Sequence, residues 1–266
     1  MKILRVIIYQ PQAHYRIPFT YQRRHTYPIP PYSTVFGFLI NLIGIYDQES
    51  NDYKQLNKLK LSIAGKFESK STEMIWFRNL LKSAHKDRFK HPQNRFLGGH
   101  IEHFGGQSQM WIDILNNVEI IIYMYHEDES VLMKIYENLL EPKNRLEILH
   151  LGRAEDWIIL KDKPVFLNES DLSFKRLDRN YGYFFWIPEK IYSFDSYTID
   201  FNNLDGLLFN IPVFSKIENY HQTFNRNGKR TFIKYMRTKL NDGKILNVNL
   251  LLDKKLCLPI FLGDFQ

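Results

Sequence analysis

The first stretch, residues 2–10 (KILRVIIYQ), is β-rich and almost continuously apolar, which predicts a buried strand. Phe36, Leu39, Ile40 and Ile43 then recur at spacings of three and four, predicting a helix over about 33–46 with Ser33 or Thr34 as its N-cap. Residues 47–58 are polar and read as loop. From Lys60 the pattern turns strand-like, KLSIAGKFES and then EMIWF, interrupted by SKST. Residues 109–126 read as a hairpin, or as one long bulged strand broken at Asn116-Asn117. Val131, Leu132, Ile135, Tyr136, Leu139 and Leu140 predict a second helix, capped by Asp128 and closed by Pro142. The segment LEILHLGRAEDWIIL holds strand, a turn at Gly152, and strand again.

Over residues 1–160 the order is therefore β-α-β-β-α-β. That is the order of an α+β, ferredoxin-like (RNA-recognition-type) domain, an antiparallel four-stranded sheet with two helices on one face. The order alone carries no function, because this fold hosts many activities. After Lys161 the helical period disappears. YFFWI (183–187), SYTIDF (196–201), GLLFNIPVF (206–214), RTFIKYM (230–236) and ILNVNLLL (245–252) are strand-like, and Asn227-Gly228 marks a hairpin turn with Arg226, Lys229 and Arg230 around it. Residues 161–266 thus form a mostly β module, and with no Gly/Ser linker between the halves it is expected to pack on the first.

Composition changes the picture in three places. The 266 residues carry a formal net charge of +7, which suits a polyanionic partner. Aromatics make up 15% of the chain, as core residues or as rings that stack on bases. The single cysteine, Cys257, excludes an intramolecular disulfide and a cysteine zinc cluster, and points to a reducing cytoplasm. No apolar run reaches the ~18 residues of a membrane span, and the N-terminus lacks a secretory pattern.

Two stretches stand out as candidate binding elements. Arg16, Tyr21, Arg23, Arg24, His25 and Tyr27 form a basic, aromatic loop that runs into a corner stiffened by Pro28, Pro30 and Pro31. The helix start beyond it, at Ser33 and Thr34, offers free N–H groups and partial positive charge, which suit a phosphate. Gly37 in that helix permits close approach of a ligand or a neighbour. The second stretch, 78–108, reads as a long protruding loop or hairpin. Arg78, Lys82, Lys86, Arg88, Lys90 and Arg95 face only Asp87 and Glu102 there, an excess of four of the chain's seven net charges. His85, His91, His100, His103, Phe89 and Phe96 are interleaved, and Gly98-Gly99 and Gly105-Gly106 bracket its far end. A basic arm with rings suits a nucleic-acid backbone; an ordinary solvated loop is the alternative.

Catalytic signatures are sparse. GxxxxGK[ST], GxSxG and HExxH are absent. His100 and His103 are three apart, but the surrounding glycines argue against the helix that metal binding would need, so neither a metal nor a cofactor is expected. Metal-independent RNA cleavage needs a base, an acid and a cation, and Tyr21, His25, Tyr27, His85, Lys86, His100 and His103 supply the types without a spacing that selects among them. In LGRAED, Arg153 is placed to meet a phosphate or an acidic neighbour.

Strand one, then FTYQRRHTYPIPPYSTVFGFLINLIG, the basic insertion and LHLGRAED together resemble the family-five subunit of the CRISPR effector Cascade, of the repeat-associated (RAMP) superfamily. TYPIPPYSTVFGFL is the specific part, the resemblance covers about the first 160 residues, and the overall look is most similar to the type I-B form. It implies an RNA-binding subunit in antiviral defence that caps the 5′ handle of the CRISPR RNA and touches the neighbouring backbone subunit and the large subunit, with target DNA met only indirectly and no membrane. The thumb maps onto about 78–108, the glycine-turn motif onto Gly152 and Arg153, and the loop and helix start onto Arg16 to Gly37. Tyr and Phe on the sheet or loops would stack splayed bases. In type I-C relatives the same protein processes the repeat RNA with a Tyr, a Lys and a His. The alternative reading assigns Tyr27, Lys86 and His100 to that task; in the type I-B form no catalytic residues are expected.

Overall fold

The computed structural model describes residues 2–79, 96–97, 100–101, 106–192, 194, 200–218 and 229–266. It opens with β1 (Ile3–Ala13), then three two-residue pieces, β2 (Tyr15–Arg16), β3 (Arg23–Arg24) and β4 (Thr26–Tyr27). Helices α1 (Tyr32–Ile43) and α2 (Asn51–Leu56) follow, then β5 (Lys60–Lys66) and β6 (Ser69–Asn79). Beyond lie β7 (Phe96–Leu97), β8 (His100–Ile101), the long β9 (Gly106–Tyr125) and α3 (Glu129–Leu140). The rest is β: β10 (Ile159–Leu160), β11 (Val165–Leu167), β12 (Leu172–Asn180), β13 (Phe184–Pro188), β14 (Leu207–Glu218), β15 (Lys229–Asn241), β16 (Lys244–Asp253) and β17 (Leu258–Pro259). Among the described residues no helix is long and apolar enough to cross a membrane.

The main sheet runs β10-β1-β9-β5-β13-β15-β14. Its first four strands are antiparallel to their neighbours, and α1 links β1 to β5 while α3 links β9 to β10. Alternation along β1 explains its unbroken apolar run. Leu4, Val6 and Ile8 pack with α1 and α3, and Ile3 and Ile7 pack with the C-terminal strands on the other face.

The expected second module is built differently. β13, β15 and β14 extend the first sheet through the pairing of Phe184 and Phe185 with Gly65 and Ala64. A separate sheet, β12-β16-β17, covers the face opposite the helices. Ile121, Tyr123 and Phe185 are buried beneath it, so the rings of that face are closed to bases. Arg5 anchors the cover. Its Nη1 donates to Asp253 Oδ2 at 2.7 Å, Tyr123 OH donates to the same oxygen at 3.1 Å, and Arg5 and Asp253 are both buried.

Two local expectations change, and of two alternatives for a third stretch the long strand is selected. The polar stretch 47–58 contains α2, whose first turn is capped by Ser50 Oγ accepting from Tyr53 N. Helix α1 starts one residue before Ser33, and its N-cap is Pro31, with no side-chain cap. The residues 109–126 form no hairpin. They fall in β9, one long strand up to Tyr125 in which Asn117 adopts φ 52° opposite the gap between β5 and β6, with the register unchanged on either side.

Candidate nucleic-acid interface

Three segments meet over α1, the third more than 100 residues from the other two. The first is the end of β1 and the basic loop, the second is the start of α1, and the third is the turn after His150. Between them and β14 lies a cavity of about 590 Å³. Arg16, Arg24, Ser33, Thr34, Gly37, Gly152 and Arg153 all line it, together with His14 and His150. Its charged lining residues are three arginines and one glutamate, Glu147.

The proline corner sets the helix start. Ile29 and Tyr32 are fully buried, and the buried Trp186 indole donates to Pro30 O at 2.9 Å. Because Pro31 caps the helix with its backbone alone, the first-turn N–H groups lack a side-chain acceptor. Gly37 is exposed in mid-helix, and a Cβ built there meets nothing within 4 Å. Among the described residues nothing requires a glycine at that position.

The turn at Gly152 is organised by Asp156, which is buried. Its carboxylate accepts from His14 N at 2.9 Å, Arg153 N at 2.8 Å and Arg153 Nη2 at 2.7 Å. Gly152 has φ +117°, and a Cβ there would lie 2.7 Å from Asp156 Oδ2 and 2.9 Å from His14 O, so only glycine fits. Of the two partners foreseen for Arg153, the structure shows the acidic neighbour, with the side chain still 20% exposed.

A second buried carboxylate, Asp113 on β9, gathers the other arm of the loop. Arg23 Nη2 donates to it at 3.0 Å, Thr72 Oγ1 at 2.9 Å and His25 Nδ1 lies 2.9 Å away, with Lys70 at 3.7 Å. Burial alone would push this carboxyl up; the hydrogen bonds from His25, Thr72 and Arg23 and the charge of Lys70 outweigh it and hold the pKa at about 2. Arg24 takes another direction. Its guanidinium lies 5.6 Å above the Phe77 ring, its Nε has no partner, and burial and then Arg16 lower its pKa. Positive charge is crowded here and short of anions.

His14 Nδ1 lies 2.8 Å from the Asp113 carbonyl, its Nε2 has no partner, and the side chain is 3% exposed. Burial is the first cause lowering its pKa, with Arg153 and Arg24 adding to the effect. The ring is therefore neutral.

The other foreseen residues fall elsewhere. Tyr21 projects into solvent at 81% exposure, beside Phe19 at 89%. Tyr27 is a core residue, edge-on to Trp186 and Phe209 at 5.5 and 5.7 Å. Its hydroxyl pKa is raised by burial, and neither a binding nor an acid–base role fits such a site. Arg78 lies in β6 opposite Gln107, and His100 lies in β8, their side chains outside the described set. Lys82, Lys86, Arg88, Lys90 and Arg95 lie outside the described residues. The β6–β9 ribbon that leads toward them exposes Trp76 and Trp111, which the pattern reading took as strand residues only. His14 and Asp113 were missed as well. The signal available was polar residues breaking apolar strand ends, as at His14 after IIYQPQA.

The family profile described as "CRISPR-associated protein (Cas_Cas5)" matches residues 3–98. No curated protein matches the sequence. Among solved structures, a chain of a "CRISPR RNA-guided surveillance complex" aligns with TM-score 0.51 at 10% identity, over 92% of this chain and 91% of that one. A CRISPR protein from Archaeoglobus fulgidus aligns with TM-score 0.41 at 12% identity over 100% of both chains. The first is a likeness of fold.

Proposed function

We propose that the chain is an RNA-binding subunit of a CRISPR RNA-guided complex, of the Cascade family-five type and most similar to the type I-B form. It holds the 5′ handle of the CRISPR RNA. One observation carries the reading: Arg16, Arg24, Arg153 and a helix start without a side-chain cap, drawn from three segments, line one cavity with an excess of positive charge. The match over residues 3–98 supports the family, and the strand order β10-β1-β9-β5 with α1 and α3 on one face supports a ferredoxin-like unit over 1–160. On this reading residues 78–108 are the thumb, carried on the β6–β9 ribbon, and 161–266 widen and close the sheet. The backbone and large subunits are protein partners, target DNA is met indirectly, and the cytoplasm is the setting.

Binding is electrostatic and by shape, without cleavage. The rings available for stacking are the exposed loop and ribbon ones, Phe19, Tyr21, Trp76 and Trp111, in place of the covered sheet face. Burial of Tyr27 in the core removes one member of the alternative acid–base trio. The test is a mobility-shift titration with labelled CRISPR repeat RNA across a salt series in EDTA. The expected result is handle-dependent binding whose log K falls with log salt at roughly −0.7 per phosphate contacted, with the RNA left intact. Specific cleavage, or binding indifferent to the handle, would refute it.

A further inference from the structure

His14 gives the cavity a property its charged groups lack. A backbone carbonyl can only accept, so the 2.8 Å contact with Asp113 O fixes the ring proton on Nδ1. In the neutral ring Nε2 is then an acceptor. It is shut off from bulk water and has no partner among the described residues, although His14 lines the cavity. A buried acceptor left unpaired needs an explanation. The cavity that His14 lines is where a ligand could bring the missing donor. Around it the cationic and helix-start groups, Arg16, Arg24, Arg153 and the first turn of α1, are donors suited to phosphate oxygens. Arg24 and Arg153 lie near enough to act on the charge of His14; Arg153 is held by Asp156, and Arg24, whose Nε has no partner among the described residues, is the side chain that a phosphate would draw aside.

We propose that His14 Nε2 accepts a hydrogen bond from a ribose 2′-hydroxyl of the bound strand and so makes this cavity select RNA over DNA. The proposal rests on the RNA-binding reading above. Next to a phosphodiester in a single strand lies the ribose, and its 2′-hydroxyl donates to Nε2 while accepting from a neighbouring arginine. Deoxyribose at the same place presents only C–H and leaves the nitrogen unpaired. A site built around a hydroxyl discriminates strongly against the analogue that lacks it.

The test is fluorescence polarisation with labelled single-stranded CRISPR repeat RNA, with 2′-deoxy and 2′-O-methyl substitutions introduced one position at a time. For the wild-type protein one position is expected to lose roughly tenfold in affinity on either change, because both remove the donor. In His14→Phe the RNA affinity should fall by the same factor and the sensitivity at that position should vanish, with affinity for the singly deoxy strand unchanged. His14→Gln, which retains an acceptor, should keep part of the preference. Equal loss for both strands in His14→Phe, or a preference untouched by it, overturns the proposal while leaving RNA binding in place. Should the phenylalanine variant misfold, a wild-type profile with no 2′-sensitive position overturns it alone. Failure of the wild-type protein to bind RNA at all would overturn the reading beneath it.

Discussion

Replacing Gly37 by alanine should strengthen the fold and weaken RNA binding. In an exposed helix interior alanine is favoured over glycine by about 0.8–1 kcal/mol. Here that gain comes without a penalty, since the residue is helical, exposed, and open for 4 Å around a built Cβ. For a chain of this length the melting temperature should rise by roughly 2–4 °C. The binding effect has the opposite sign. If the strand lies against the helix backbone at Gly37, an added methyl overfills that contact at roughly 1–3 kcal/mol, or about 5- to 150-fold in Kd. Thermal denaturation and polarisation titrations on the same preparation read both. A Gly37→Ala protein that is more stable and binds RNA as tightly as the parent would show that nothing lies on the open face of α1.

The remaining expectations are briefer. Gly152→Ala should cost about 1–3 kcal/mol from the forced φ of +117° alone, before Asp156 is displaced, in urea denaturation. Asp253→Ala strands Arg5 in the core and should cost about 3–5 kcal/mol, whereas Arg5→Met with Asp253→Leu should cost less, the remainder coming from the Tyr123 hydroxyl and the N–H groups of Lys255 and Leu256 left without their acceptor; equal losses in both would sink the assignment of a buried pair. Asp113, whose carboxyl sits at about 2 against an ordinary 3.8, contributes about 2 kcal/mol that is fully present above the unfolded value and lost as pH falls through the folded one. Asp113→Asn should remove that part of the acid sensitivity in pH-dependent denaturation. Reversing Arg88, Lys90 and Arg95 to Glu should weaken assembly of the complex on RNA in gel filtration; unchanged assembly would take the 78–108 segment out of the account.

What was legible depended on range. Strand β1 and helices α1 and α3 were read correctly because their periodicity is a local property of adjacent residues. Helix α2 was missed because NDYKQL offers only Tyr53 and Leu56 as apolar positions, and it leans on the Ser50 cap. The polar LSFKRLDRN of β12 hid a strand that borders its sheet on one side only. Tyr27 was misjudged for a different reason. A tyrosine inside a basic loop looks like a surface ring, and what buries it, Trp186 and Phe209, lies far along the chain. The ion cluster at Asp113 is of the same kind, joining residues about 90 positions apart, and Asp156, though it pairs locally with Arg153, also accepts from the backbone of His14, 142 positions away. By contrast the glycine of LGRAED was legible from composition, because a turn of that shape tolerates nothing else.

Strand β9 is one element from the middle of the sheet to the root of the ribbon, pairing with β1 and β5 at one end and with β6 and β3 at the other. At about 3.3 Å per residue its 20 residues span roughly 65 Å. The ribbon is therefore a cantilever clamped in the core. Swinging it would break ladder hydrogen bonds at Asn117 or beyond. A partner meeting its root finds the bearing already set, and torque applied there is felt in the strand that carries Asp113, the carboxylate that steers the basic loop.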